Sequence, residues 1–149
     1  MKFKSLSLLF VALCACNSSS GNMVITDYSG IWDVRYNFAN DECGLVTDGI
    51  IGFVEQDTIE QSGSTASFSS LSGILSTDSA TLESDGSLLA IEEFSGDLFG
   101  DGTFCVQTAQ IRYQNGIDNS AESVFSFSIE CDDGFACSSD ALGSAERQV

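Results

Sequence analysis

The chain has 149 residues, with 22 acidic and five basic side chains, six cysteines, no histidine and no proline. This length fits one domain, and a hydrophobic content of 43% is sufficient for a packed core. The lack of histidine removes the commonest general base and metal ligand from the candidate chemistry.

The first 15 residues have the pattern of an export signal. Lys2 and Lys4 give a positively charged start, and residues 6–13 form an apolar run that only Ser7 interrupts. A membrane-spanning helix needs about 20 apolar residues, so this run is too short to be one. It has the length of the apolar region of a signal peptide, and we expect the chain to be exported.

The segment Leu13-Cys14-Ala15-Cys16 resembles the lipobox of bacterial lipoproteins. The resemblance implies cleavage after Ala15 and acylation of Cys16, although a cysteine at position 14 departs from the usual choice. It also implies a location in the cell envelope, at the outer membrane in a Gram-negative cell, because Asn17 rather than aspartate follows the cysteine. The alternative is an ordinary secretory signal cut nearby, which would still export the domain.

This processing divides the chain into a signal peptide at residues 1–15, a lipidated cysteine with a polar tether at 16–28, and a folded domain at 29–149. Cleavage removes both lysines and no acid, so the formal charge changes from −17 to −19. Three remaining arginines are too few to bind nucleic acid, and anionic lipid would repel the domain. We expect the lipid anchor alone to hold it at the membrane. The sequence identifies no protein partner.

The folded domain has the alternating pattern of β-strands. In residues 31–38, Trp32, Tyr36 and Phe38 fall on one face, while Arg35 falls on the other. We predict further strands at residues 49–61 (with an interruption near 56–57), 65–70, 74–83, 87–94, 103–113, 123–131 and within 138–148. Glycine-containing turns separate several of them, including one at Asn115-Gly116. The prediction is an all-β fold, a single antiparallel barrel of about eight strands, with a β-sandwich as the alternative.

Two positions resemble the calycin pattern of lipocalins and avidins. Gly30-Ile31-Trp32 opens the first strand, and Arg147 lies on the last one. The resemblance implies that Arg147 covers the indole of Trp32 in a cation–π contact that closes one end of the barrel. The chain lacks the helix that lipocalins carry before their last segment.

Cleavage removes Cys14 and acylation occupies Cys16, which leaves four cysteines with free thiols, and an even number in an exported protein indicates two disulfides. In an up-and-down barrel all four gather at the end opposite Trp32. The hairpin around Asn115-Gly116, with its midpoint near Asp118, sets Cys105 against Cys131. Pairing of Trp32 with Arg147 brings Cys43 close to Cys137. We therefore predict Cys43–Cys137 and Cys105–Cys131; the rival pairing is Cys131–Cys137 with Cys43–Cys105.

No residue pattern indicates a catalytic or metal site. Carboxylates cluster at residues 41–42, 92–93, 97 with 101, and 132–133, but none fits a calcium-binding loop and most fall at predicted turns. We predict no cofactor and no enzymatic activity. Two carboxylates would suffice for a glycosidase, so a hydrolase remains the third function class.

The aromatic residues Trp32, Tyr36 and Phe38 are the candidate lining of a ligand pocket, with ordinary core packing as the alternative. The function that we expect is a membrane-anchored, non-catalytic barrel that binds a small, apolar molecule. The alternative is a structural or protein-interaction component of the outer cell envelope with a filled barrel.

Overall fold

The computed structural model describes residues 27–45 and 51–149, and within them the chain forms eight strands. These are β1 (Gly30–Asp41), β2 (Gly52–Ser62), β3 (Thr65–Ser70), β4 (Ser76–Leu82), β5 (Leu88–Asp97), β6 (Phe104–Ile117), β7 (Ser120–Cys131) and β8 (Ala136–Arg147). Each strand is antiparallel to the next, and β8 pairs with β1. Because the first and last strands pair with each other, every strand has a hydrogen-bonded neighbour on both sides and the sheet is a closed barrel. The predicted barrel is confirmed, and the sandwich alternative is wrong.

The inside of the barrel follows the alternation of the sequence. On β1, Trp32, Val34 and Tyr36 are buried, while Asp33 and Arg35 between them are exposed. Successive side chains of a strand point to opposite faces, so one apolar face of β1 lines the interior.

Two local expectations need correction. β2 runs without a break through Gln56 and Asp57, where an interruption was predicted. The hairpin between β6 and β7 is centred near Asp118, as expected, but Asn115 and Gly116 lie inside β6. The register shifts there, and Asn115 has a φ of 53°. Asparagine tolerates positive φ in a bulge as readily as in a turn, which explains the wrong placement.

The barrel has two different ends. At the closed end, β1 begins and β8 ends, and Tyr28 packs under the barrel with 1% of its surface exposed. The packed structure therefore includes the last residue of the predicted tether. At the open end, β1 ends and β8 begins. Toward this end β4 and β5 separate, since they pair only at Thr81 with Leu89 and at Leu82 with Leu88.

Candidate ligand pocket at the open end of the barrel

Arg147 covers Trp32 at the closed end. Its Cζ atom lies 4.7 Å from the centre of the indole ring, and its Nη2 donates to the backbone oxygen of Asp27. The indole Nε1 donates to the backbone oxygen of Tyr28 at 2.7 Å. These contacts close the barrel in the manner that the calycin resemblance implies.

Steric contact with Arg147 explains why a glycine lies two residues before Trp32. Gly30 adopts a φ of 135°, and a Cβ atom there would lie 3.2 Å from Cγ and Cδ of Arg147. A side chain would therefore strain the backbone and press on the arginine that covers Trp32.

The closed half of the barrel is filled. The rings of Trp32 and Tyr113 meet edge to face with their centres 5.4 Å apart, and Tyr28 contacts both. Ile59 and Phe68 complete this layer, each with 2% or less of its surface exposed. A cleft of about 210 Å³ beside Arg147 lies at this end, below the size typical of small-molecule sites, and a larger space lies nearer the open end.

A pocket of about 540 Å³ occupies the open half. Four phenylalanines from three strands contribute most of its aromatic wall: Phe38, Phe53, Phe125 and Phe127. Leu45 and Ile74 lie on the same pocket, and its polar side chains are Glu55, Ser72 and Gln107. A volume between about 300 and 1,000 Å³ is typical of small-molecule sites.

Glu55 holds the segment between β3 and β4 against the pocket. Its Oε1 atom accepts hydrogen bonds from the backbone N–H groups of Gln56 and Ser72, each at 3.0 Å. The same segment folds back on Ser70, whose backbone N–H donates to the oxygen of Leu75 at 2.9 Å. Leu75 itself is fully buried. This segment thus forms one wall of the pocket and places an apolar side chain inside the barrel.

Asp57 lies below Glu55 on the same face of β2 and has no exposed surface. Its Oδ2 atom accepts a hydrogen bond from the hydroxyl of Tyr113 at 2.7 Å, and Oδ1 has no partner among the described residues. Burial raises the pKa of Asp57 to about 7, against the opposing effect of the Tyr113 hydrogen bond, and Glu55 adds to the rise. Asp57 does not line the pocket.

The three aromatic residues predicted to line a pocket do not all line the pocket at the open end. Phe38 lines it, but Trp32 belongs to the closed end. Tyr36 is buried, stacks on Phe53 with ring centres 4.8 Å apart, and shares a 2.6 Å hydrogen bond with Ser123. Burial raises the pKa of the Tyr36 hydroxyl. Of the three, Phe38 alone is among the residues that line this pocket.

Glu55 and the segment between β3 and β4 are pocket residues that the sequence-based prediction does not include. A usable signal exists for Glu55, because Phe53, Glu55, Asp57 and Ile59 alternate on one face. The interruption predicted near residues 56–57 divides this alternation and hides it.

Both disulfides lie at the open end. Cys43 is bonded to Cys137, and Cys105 is bonded to Cys131, with Cα atoms 5.1 and 4.0 Å apart. These are the two bonds predicted from the sequence, and the rival pairing is wrong. The first ties the end of β1 to the start of β8, and the second ties β6 to β7. They brace the end that carries the pocket.

Several carboxylates at turns accept hydrogen bonds from backbone N–H groups of the same turn. The side chain of Asp97 accepts hydrogen bonds from the backbone N–H groups of Gly100, Asp101 and Gly102. Arg112 lies 3.9 Å from Asp85, a separation that makes a weak surface ion pair.

Within the described ranges, no group of three or more acidic or cysteine side chains is arranged to hold a metal ion. No helix in these ranges is long and apolar enough to cross a membrane.

No protein-family model, curated protein or solved structure matches the chain. The structure itself shows a closed eight-stranded antiparallel barrel that is compatible with a calycin-like fold.

Proposed function

We propose that this protein is a non-catalytic lipoprotein of the bacterial cell envelope that binds a small, largely apolar molecule. The observation that supports binding is the pocket of about 540 Å³ with its phenylalanine walls. A barrel with a purely structural role would be filled at both ends, since small barrels pack their interior with side chains. Here only the closed half is filled.

The direction of the chain supports anchoring through Cys16. The described chain enters the barrel at the closed end, where the oxygen of Asp27 contacts Arg147 and Tyr28 packs below Trp32. A lipid on Cys16 would be joined to this end through the residues that precede Asp27. The pocket lies at the opposite end, so a tethered barrel can present its opening away from the anchor.

The arrangement of the interior acids supports a non-catalytic role. Glu55 lines the pocket, but Asp57 has no exposed surface and lies outside the lining. A glycosidase needs two carboxyl groups that both reach the substrate. Only one of these two can reach a molecule in the pocket.

A second candidate is a protein-interaction role, which exposed aromatic side chains near the open end favour. Phe99 and Phe135 are about half exposed, and their rings meet edge to face with centres 5.8 Å apart. Phe94 and Phe104 are exposed to a similar degree. Aromatic residues are enriched at protein interfaces.

Binding can be tested with the neutral apolar fluorophore N-phenyl-1-naphthylamine and a matched pair of variants. Leu45 lies at the pocket, whereas Leu142 is exposed on β8 away from it. We expect saturable binding to the unmodified protein, weakened about tenfold by Leu45→Asp because a charge at the pocket disfavours an apolar ligand. Leu142→Asp should bind like the unmodified protein. No saturable binding, or equal loss in both variants, would contradict the proposal.

A further inference from the structure

The apolar pocket contains one carboxyl group with a free oxygen. Glu55 is 6% exposed and is the only acidic or basic side chain among the described residues that line the pocket. Its Oε1 atom already accepts two backbone hydrogen bonds. No hydrogen bond from a described residue reaches Oε2. This second oxygen is available to a ligand.

The described part of the protein provides no cation for Glu55. Its three arginines lie elsewhere: Arg35 is on the outer face of β1, Arg112 is beside Asp85, and Arg147 covers Trp32 at the closed end. Burial of the Glu55 carboxylate is costly without a partner of opposite charge, so Glu55, which forms the floor of the pocket, favours a positive group there.

The walls of the pocket favour the same class of ligand. The rings of Phe38 and Phe53 have their centres 5.5 Å apart, and that of Phe125 lies 5.9 Å from Phe53. Faces of aromatic rings attract cations such as ammonium groups, while the rings also bury apolar surface. An apolar molecule with an ammonium group would satisfy both the walls and the floor.

We propose that the ligand is a hydrophobic amine, bound in its protonated form with the ammonium group on Oε2 of Glu55 and the apolar part against the phenylalanines. This inference rests on the proposed binding function and specifies its ligand class. It predicts a preference for charge that pocket shape alone would not produce.

Three probes of equal skeleton separate charge from shape: 4-phenylbutylamine, 4-phenylbutanol and 4-phenylbutyrate. Binding of each is measured by calorimetry at neutral pH on the Cys16→Ser variant, which lacks the acylated residue and so needs no detergent that would compete for the pocket. We expect the amine to bind at least about tenfold more tightly than the alcohol, as a charge-assisted hydrogen bond should provide. The carboxylate should bind most weakly.

Two pocket variants and one control assign this preference to Glu55. Glu55→Gln keeps an oxygen for Ser72 but removes the charge, and should bring the amine and the alcohol to within about twofold of each other. Gln107→Lys leaves Glu55 and its hydrogen bonds in place but supplies an internal cation, and should likewise abolish the preference. Glu60→Gln removes an exposed charge on the outer face of β2 and should leave the preference intact.

The outcomes separate this inference from the proposed function. If the amine binds no better than the alcohol, or if its advantage persists in both pocket variants, the amine assignment is wrong while apolar binding stands. An equal loss of preference in Glu60→Gln would attribute it to the overall negative charge and would also overturn the assignment. If none of the three probes binds, both proposals fail.

Discussion

The hydroxyl of Tyr113 on β6 donates a 2.7 Å hydrogen bond to the carboxyl group of Asp57 on β2, in a region of the barrel interior closed to solvent. Tyr113 is itself fully buried, and its ring packs against Trp32. The pair therefore joins the filled closed half of the barrel to the floor of the pocket. It also places an ionisable group where its charged form is poorly solvated.

This pair predicts a specific pH dependence of stability. The pKa of Asp57 is raised from 3.8 to about 7, so the native state holds a proton that the unfolded state releases between these values. The free energy of unfolding should fall as the pH rises through this window, by on the order of a few kcal/mol, and the contribution is fully present below the lower value. Urea unfolding at a series of pH values measures it.

Comparison with Asp57→Asn isolates this contribution from the other acids. The variant should lose the part of the slope between about pH 4 and 7 that Asp57 causes. Asp78→Asn, a change at an exposed position on β4, should retain it. Parallel stability curves for the unmodified protein and Asp57→Asn would show that Asp57 does not titrate in this range.

Replacing Arg147 by alanine should destabilise the closed end. The variant loses the contact between the guanidinium and the indole of Trp32, and with it the hydrogen bond to Asp27. The expected decrease in the free energy of unfolding is about 0.5–2 kcal/mol, measured by urea denaturation. Arg35→Ala is a matched control because Arg35 lies exposed on the outer face. An equal effect of the two substitutions would argue against a special role for Arg147.

The two disulfides should contribute unequally. Cys43–Cys137 closes a loop with a sequence separation of 94, against 26 for Cys105–Cys131. Loop entropy in the unfolded chain predicts about 2–4 kcal/mol for each bond, with about 1 kcal/mol more for the longer loop. In Cys105→Ala/Cys131→Ala, a reductant breaks only the longer bond, and in Cys43→Ala/Cys137→Ala only the shorter one. A larger effect of reductant in the second variant would contradict the prediction.

Lipidation predicts a change of cell fraction in Cys16→Ser. Because the residue that carries the acyl groups is lost, the variant should move from the membrane fraction to the soluble fraction. Cys14→Ser retains Cys16 and should stay with the membrane. Fractionation with a high-salt wash, followed by immunoblotting, makes the measurement. If Cys16→Ser sediments with washed membranes, the anchor is elsewhere.

The alternation of side chains along a strand and the pairing of neighbouring strands could be predicted from the sequence. Alternation on β1 places Trp32 and Tyr36 inside, and strand direction with hairpin symmetry places Cys105 opposite Cys131. Both arguments need only the period of a strand and the order of the strands.

The contacts of the two inward-facing acids of β2 could not be predicted in this way. Asp57 is buried, and the residue that donates a hydrogen bond to it, Tyr113, lies 56 residues later in the chain. Glu55 is held by the backbone of Ser72, and an N–H group leaves no signal in the residue type. The local sequence pattern therefore predicted a break at residues 56–57, where β2 is continuous. It also could not show that Tyr28 and Tyr113 fill the space near Trp32 while the space near Phe38 stays open.

Native mass spectrometry of the protein purified from its own membranes can show acylation of Cys16 and occupancy of the open-end pocket in one experiment. We expect a chain that begins at Cys16, carries acyl groups and retains a small molecule of defined mass. Leu45→Asn, which weakens apolar contact without adding charge, should reduce occupancy by this molecule, whereas Leu142→Asn should retain it. An acylated chain with no bound molecule under conditions that preserve non-covalent complexes, or a molecule retained equally by both variants, would contradict binding in the open-end pocket.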